Sequence, residues 1–282
     1  METGYLIDRL PLRQRTVHRG AQVAWDVIGS GTPVVLLHGF PWSSQVWRRV
    51  APALAREYRV YYVDLLGFGE SSIPEDGDVS PAAQDRLLAD LIAGWDLRSP
   101  YVVGHDFGGL AALRGILERD LCFSGLTLID SVGLLPSGSP FWTHARAHID
   151  AFRDLPSYMH HAVVSAFLQN GVRSPLSESV LDLYLTPWRG TDGAHRFYDQ
   201  ILQSTAVPLE AIQDRLDQLP IRPHVIWGTH DHNIPISHGR DLARRVNARS
   251  FTEIEHAAHL VPEDSPEDVV SLVSSHLRAE TC

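Results

Sequence analysis

Short apolar runs that stop on glycine or polar residues, separated by amphipathic stretches, constrain this chain more than any other feature. Val34-Val35-Leu36-Leu37 ends at His38-Gly39, and Val60-Tyr61-Tyr62-Val63 ends at Asp64. Tyr101-Val102-Val103 runs into Gly104-His105, and Leu126-Thr127-Leu128-Ile129 into Asp130. His224 to Gly228 and Ser250 to Ile254 supply a fifth and a sixth run. Apolar runs without polar alternation read as strands buried on both faces. Between them lie helix-like stretches such as Ser80 to Trp95, with Pro81 at its first turn. Strands alternating with helices place the chain in the α/β class, with a mostly parallel central sheet and helices on both faces. Ligands of such sheets gather at the carboxyl ends of the strands, which is where the polar terminations fall.

From about Gly133 to about Leu219 the strand-like runs vanish. Trp142 to Leu155, Tyr158 to Asn170 and Ser177 to Tyr184 read as helices. Residues 1–132 and 220–282 then form one core, and 133–219 a helical cap inserted over the sheet's functional end. The 282 residues suit one large α/β domain carrying such an insertion.

Composition narrows the function. Hydrophobic residues make up 44% and charged residues 21%, which excludes a disordered or collagen-like chain. No apolar run approaches the roughly 18 residues of a membrane span, so no membrane association is expected. The opening METGYLIDRL lacks a basic start followed by an apolar stretch, so no secretory leader is expected. Two cysteines, Cys122 and Cys282, exclude a disulfide framework and fit the cytoplasm. The net charge of -10 argues against nucleic acid as a partner, even though all 24 basic residues are arginine. Of the 15 histidines, His230 and His232 flank Asp231 in the nearest approach to metal-ligand spacing, but no coherent ligand set accompanies them. No metal is expected.

Gly104-His105-Asp106-Phe107-Gly108-Gly109 stands between a strand and a helix running from Leu110 to Glu118. This is the strand–turn–helix setting of a nucleophile elbow, with aspartate where serine is usual. Glycines belong where a tight turn brings backbones too close for side chains. Taken alone, the hexapeptide reads equally well as an N-cap, with Asp106 capping the helix. Four further motifs break that tie. They are His38-Gly39-Phe40-Pro41, Asp64-Leu65-Leu66-Gly67-Phe68-Gly69-Glu70-Ser71, Trp227-Gly228-Thr229-His230-Asp231, and Ala258-His259-Leu260-Val261-Pro262-Glu263. In this order the chain resembles the α/β-hydrolase superfamily, specifically its aspartate-nucleophile branch of epoxide hydrolases and haloalkane dehalogenases. The resemblance covers nearly everything outside the cap.

That resemblance implies roles. Asp106 is similar to the nucleophile, and His259, followed by Leu-Val-Pro-Glu, to the general base in preference to His256. The backbone N–H groups of Phe40 and Phe107 would form the oxyanion hole. Asp231 matches the acid that orients the histidine, and Asp130 matches the alternative acid position of some dehalogenases. An epoxide needs a proton donor as it opens. Tyr198, in His-Arg-Phe-Tyr-Asp-Gln, resembles the family's cap tyrosine, with Tyr158 and then Tyr184 behind it. A halide needs N–H donors instead. The dehalogenases place tryptophan after the nucleophile and often asparagine after His-Gly, whereas this chain has Phe107 and Phe40. Trp42, Trp142 and Trp188, with His38, are the remaining substrate-contacting candidates. The arginines that fluoroacetate dehalogenases set beside their nucleophile are absent next to Asp106, and Arg114 alone remains. The aromatic content points to an apolar small-molecule substrate, handled by a monomer or homodimer.

The residue types dictate the chemistry. An aspartate is already ionised near neutrality, because it titrates near pH ~4, so histidine is free to activate water. Asp106 would displace a leaving group to form an alkyl ester. His259 would then deprotonate the water that attacks it. No cofactor is required, and no G-x-G-x-x-G fingerprint follows the first strand. An epoxide hydrolase is the first expectation, and a haloalkane or haloacid dehalogenase the second. Non-hydrolytic cofactor-free chemistry (oxygenase, lyase or cyclase) and a binding protein with a dead site are the readings from other classes.

Overall fold

A computed structural model describes residues 8–280. The first seven residues, part of the stretch inspected for a leader, and Cys282 lie outside them. Among the described residues no helix is long and apolar enough to cross a membrane.

All six runs read from the sequence are strands: β3 (Pro33–Leu37), β4 (Arg59–Val63), β5 (Tyr101–His105), β6 (Gly125–Ile129), β7 (His224–Gly228) and β8 (Ser250–Ile254). Two more precede them, β1 (Gln14–His18) and β2 (Ala21–Gly29), giving one sheet of order β1-β2-β4-β3-β5-β6-β7-β8. From β4 to β8 every pairing is parallel, while β1 and β2 pair antiparallel with each other and β2 with β4. Every residue of β5, β6 and β7 is buried, as their unbroken apolar runs require. β1 and β2 escape that criterion because one face is wet and polar residues interrupt them, as in Gln14-Arg15-Thr16. Their connection is a two-residue hairpin turn, Arg19-Gly20, with φ of 49° and 83°. Positive φ at both central residues matches the turn's twist to that of the flanking strands.

The register aligns the polar strand ends. Leu37 stands opposite Val63 on one side and Gly104 on the other, and His105 stands opposite Ile129. The residues that follow, His38, Asp64, Asp106 and Asp130, therefore emerge along one edge of the sheet.

Between β6 and β7 the described chain contains no strand. It runs through helices Pro140–Ala147, Ile149–Arg153, Ser157–Asn170, Glu178–Leu185 and Gly190–Gln203, with shorter turns among them. The single helix expected from Trp142 to Leu155 is two helices, broken at His148 with φ -128° and ψ 37°. Specific polar contacts tie this helical stretch to the core. Gln200 Nε2 donates to the Leu66 carbonyl at 2.9 Å, and the Leu260 N–H donates to the Gly171 carbonyl at 2.7 Å. The strongest tie is a buried triangle in which Arg48 grips Glu263 through both terminal nitrogens and Tyr184 bonds both partners. The Arg48 and Glu263 side chains are only 5% and 11% exposed. Removing one partner of a buried ion pair strands the other charge, at a cost of about 3–5 kcal/mol. Glu263→Ala is expected to destabilise the fold by that amount, read as a lowered urea midpoint with an unchanged slope.

Candidate active site

β5 delivers Asp106 into the turn before helix Phe107–Arg119 with φ 50° and ψ -116°. Aspartate rarely adopts such a backbone, and residues held in strained conformations cluster at functional sites. Close packing enforces the turn: a Cβ on Gly108 would lie 2.3 Å from the Leu37 carbonyl oxygen, and one on Gly39 would lie 2.4 Å from Asp106 Cβ. The N-cap alternative fails, because the Asp106 side chain makes no capping bond to that helix. Instead, Asp106 Oδ2 accepts from the Phe40 N–H at 3.0 Å. Phe107 opens the helix, so its N–H belongs to the first turn, whose donors lack intrahelical partners.

His259 lies between two carboxylates. Its Nδ1 is 2.8 Å from Asp231 Oδ2 and its Nε2 is 3.8 Å from Asp106 Oδ2. Asp231 Oδ1 is in turn held by the backbone N–H groups of Asn233 at 2.7 Å and Ile234 at 2.8 Å. An Asp231 fixed by three hydrogen bonds orients the imidazole with Nδ1 protonated and Nε2 facing Asp106. Burial opposes the charge of His259, but Asp231 and Asp106 outweigh it and hold its pKa well above the ordinary histidine value. Burial likewise raises Asp106 above the usual aspartate range, against the pull of His259 and the Phe40 N–H. His256, the competing base, is exposed on the surface.

Asp130 is fully buried behind this pair. Its Oδ1 accepts from the Gly228 N–H at 2.9 Å, and its Oδ2 has no partner. Burial first and the charge of Asp231 second push its pKa far above the usual aspartate range. The carboxylate in contact with His259 is thus Asp231. Asp130, Asp231 and His259 do offer oxygen and nitrogen atoms within 4.8 Å of one another. Within that cluster Asp231 and His259 are already joined by their 2.8 Å hydrogen bond. His232 is exposed, and the histidines flanking Asp231 form no ligand set with it.

A cavity of about 50 Å³ opens on Asp106 and His259. Phe40, Phe107, Trp142, Phe167, Val132 and Leu209 give it apolar walls, while serines and Thr205 line other parts of it. No arginine lines it, and Arg114 is committed to Asp85 at 2.6 Å and to the Pro208 carbonyl. The Phe40 ring packs against Trp142 at 4.7 Å and Phe197 at 4.8 Å.

The remaining candidates fall elsewhere. Tyr158 is 73% exposed and outside the cavity lining. Tyr198 is buried but also outside the cavity wall, and its hydroxyl meets His160 Nδ1 at 3.2 Å. Burial raises its pKa to about 12. The helices that carry the two tyrosines thus turn Tyr198 toward His160 and Tyr158 toward solvent, while the cavity lining includes neither. Tyr198→Phe is expected to change turnover less than about threefold, where a true general acid contributes 10²–10⁴-fold. Tyr184 belongs to the Arg48–Glu263 triangle. His38 is buried under the turn, accepting from the Leu65 N–H at 3.0 Å and facing the Gly39 carbonyl. Trp42 packs behind His259 at 5.4 Å, and Trp188 donates its indole N–H to the Pro41 carbonyl at 2.8 Å. Of the four expected substrate-contacting residues, only Trp142 lines the cavity. His38, Trp42 and Trp188 instead pack around the strand ends that carry Asp106 and His259.

Two site residues have no signal of their own in the sequence. His105 donates from Nε2 to the His259 carbonyl at 2.9 Å, and its place directly before Asp106 was the available clue. Asn233, two residues after Asp231, lines the cavity.

Comparison with known proteins agrees with this geometry at the level of fold. Residues 34–272 match the family described as the alpha/beta hydrolase family. The chain is 41% identical to an alpha/beta hydrolase fold protein from Burkholderia ambifaria of known crystal structure, covering 94% of this chain and 98% of that one with a TM-score of 0.91. A soluble epoxide hydrolase of Corynebacterium sp. (strain C12) is 36% identical over 124 residues, 43% of each chain. A fluoroacetate dehalogenase of Burkholderia sp. is 36% identical over 108 residues, 37% of this chain and 36% of its own.

Proposed function

This chain belongs to the alpha/beta hydrolase family, and from that footing we propose that it hydrolyses a small, predominantly apolar electrophile through a covalent ester on Asp106. The observation that carries the proposal is the Asp106 carboxylate itself, with one oxygen on the Phe40 N–H and His259 Nε2 3.8 Å away. Phe40 holds Oδ2, which leaves Oδ1 to attack carbon. The bond from carbon to the leaving group breaks as the new C–O bond forms. Oδ2 then becomes the ester carbonyl oxygen, already seated on the N–H that stabilises the negative charge of the next step. His259 removes a proton from water, hydroxide adds to the ester carbonyl, and collapse releases the alcohol and restores the carboxylate.

Esterification also changes the electrostatics. It removes the charge of Asp106, one of the two carboxylates that hold the proton on His259. The base is thereby released once the first half-reaction is complete. In the free enzyme His259 is expected to titrate above the ordinary histidine value of about 6.5. The pH midpoint of kcat, when ester hydrolysis limits, should lie below that free-enzyme value measured by NMR. Equal midpoints would mean that no charge is lost at Asp106 during turnover.

The leaving group has two readings. An epoxide follows from the resemblance and from the Corynebacterium relative. A halide is favoured by the position of Tyr158 and Tyr198 outside the cavity, since a halide departs without a proton. The lack of arginine in the wall favours an uncharged haloalkane over a haloacid. A helical cap over 133–219, covering the nucleophile and excluding bulk water, belongs to either reading.

The test is to separate the half-reactions. Alkylation does not need His259, whereas ester hydrolysis does. His259→Gln should therefore lose turnover but gain the mass of the substrate's alkyl fragment on the peptide holding 104–109. For an epoxide the added mass is the whole epoxide, and for a haloalkane it is the substrate minus hydrogen halide. Loss of turnover on a good substrate with no adduct would overturn the covalent mechanism.

A further inference from the structure

We propose that the side-chain amide of Asn233 receives the departing group, and that this group is a halide; the proposal rests on alkylation of Asp106 as read above. Asn233 is 7% exposed and lines the same cavity as Asp106, Phe40 and His259. Its backbone N–H is spent on Asp231 Oδ1. Its side-chain Oδ1 accepts from Asn170 Nδ2 at 3.2 Å, which leaves the Nδ2 end over. Nδ2 is buried and has no hydrogen-bond partner. Buried donors are nearly always satisfied, so an amide pinned at one end and unpaired at the other calls for an acceptor from outside the protein.

The chemistry of the amide selects that acceptor. A carboxamide has two N–H donors but does not give up a proton near neutrality. It can stabilise an anion, yet it cannot protonate the alkoxide of an opening epoxide. The tyrosines able to do so are turned away. In the step proposed here, Asp106 Oδ1 forms the C–O bond while the carbon–halogen bond breaks, and the halide leaves with the bonding pair toward the Asn233 N–H groups. Water then supplies hydroxide to the ester and a proton to His259. The sum is haloalkane plus water giving alcohol, halide and a proton.

The experiment measures the rate of adduct formation on the peptide holding 104–109 in the His259→Gln protein. The probes are 1-chlorobutane, 1-bromobutane, 1-iodobutane and 1,2-epoxybutane, with and without Asn233→Ala. A donor that meets developing charge contributes about 10²–10³-fold, so the chloride rate should fall by that factor. The loss should shrink from chloride through bromide to iodide, because a better leaving group needs less help. Asn233→Asp keeps the size and the acceptor for Asn170 but has no N–H, and should show the same graded loss. These ratios within one protein do not depend on the folded fraction. Equal losses for all three halides would make Asn233 structural and overturn the proposal. So would unchanged rates, or an adduct from the epoxide and none from any halide; in each of these cases alkylation of Asp106 stands. Absence of an adduct from all four probes would instead remove the reading beneath the proposal, and the proposal with it.

Discussion

Asp231→Asn is expected to lower kcat by about 10⁴-fold, the scale seen when the orienting acid of a catalytic triad loses its charge but keeps its shape. The geometry gives the reason. Asp231 Oδ2 accepts from His259 Nδ1 at 2.8 Å, so that once the base is released the neutral imidazole keeps its proton on Nδ1 and presents a bare Nε2 to the cavity. An asparagine there would present either a weaker acceptor or an N–H, and the N–H would force the opposite tautomer. The proton would then sit on Nε2, facing the water that must be deprotonated. Asp130→Asn makes a sharp control. Burial and the charge of Asp231 disfavour a charge on Asp130, and an amide oxygen still accepts from the Gly228 N–H. Its expected loss is under about tenfold, against the larger loss of a triad acid. A reversed order of the two variants in steady-state kinetics would move the orienting role to Asp130.

The contrast between these two aspartates also shows what a linear sequence displays. Asp106, Asp130, Asp231 and His259 each follow a recognisable local pattern, in most cases a buried strand or the motif around it. Their positions are set by short-range order, and parallel register then brings the strand ends together. The parallel strands are legible for the same reason, since residues buried on both faces cannot alternate. β1 and β2 are not, because their pattern is that of a half-wet edge. The helical stretch between β6 and β7 resists more strongly. Whether Tyr198 faces Asp106 or His160 depends on the rotation of Gly190–Gln203 against Ser157–Asn170, which local composition leaves open. Asn233 is harder still. Its amide is paired with that of Asn170, 63 residues earlier in the chain, so nothing near Asp231 announces it.

The largest loss falls on Asp106 itself. Asp106→Ala should lower turnover by about 10⁶-fold, the scale of removing a nucleophile whose partners act only through it. The residual machinery has nothing to work on: the Phe40 N–H stabilises an oxygen that is no longer there, and His259 has no ester to direct water against. Stability should move the other way or stay put. The carboxylate is fully buried, burial raises its pKa, and its direct hydrogen bond comes from a single backbone N–H at 3.0 Å. Alanine removes that desolvated charge without opening a large void. Taking away Asp106 also takes away one of the two carboxylates that favour a charged His259, which lowers the pH at which the buried imidazole becomes neutral. The expected outcome is an inactive protein whose thermal midpoint is equal to or above that of the parent. A lowered midpoint would show that the Asp106 carboxylate stabilises the fold through its contacts with the Phe40 N–H and His259.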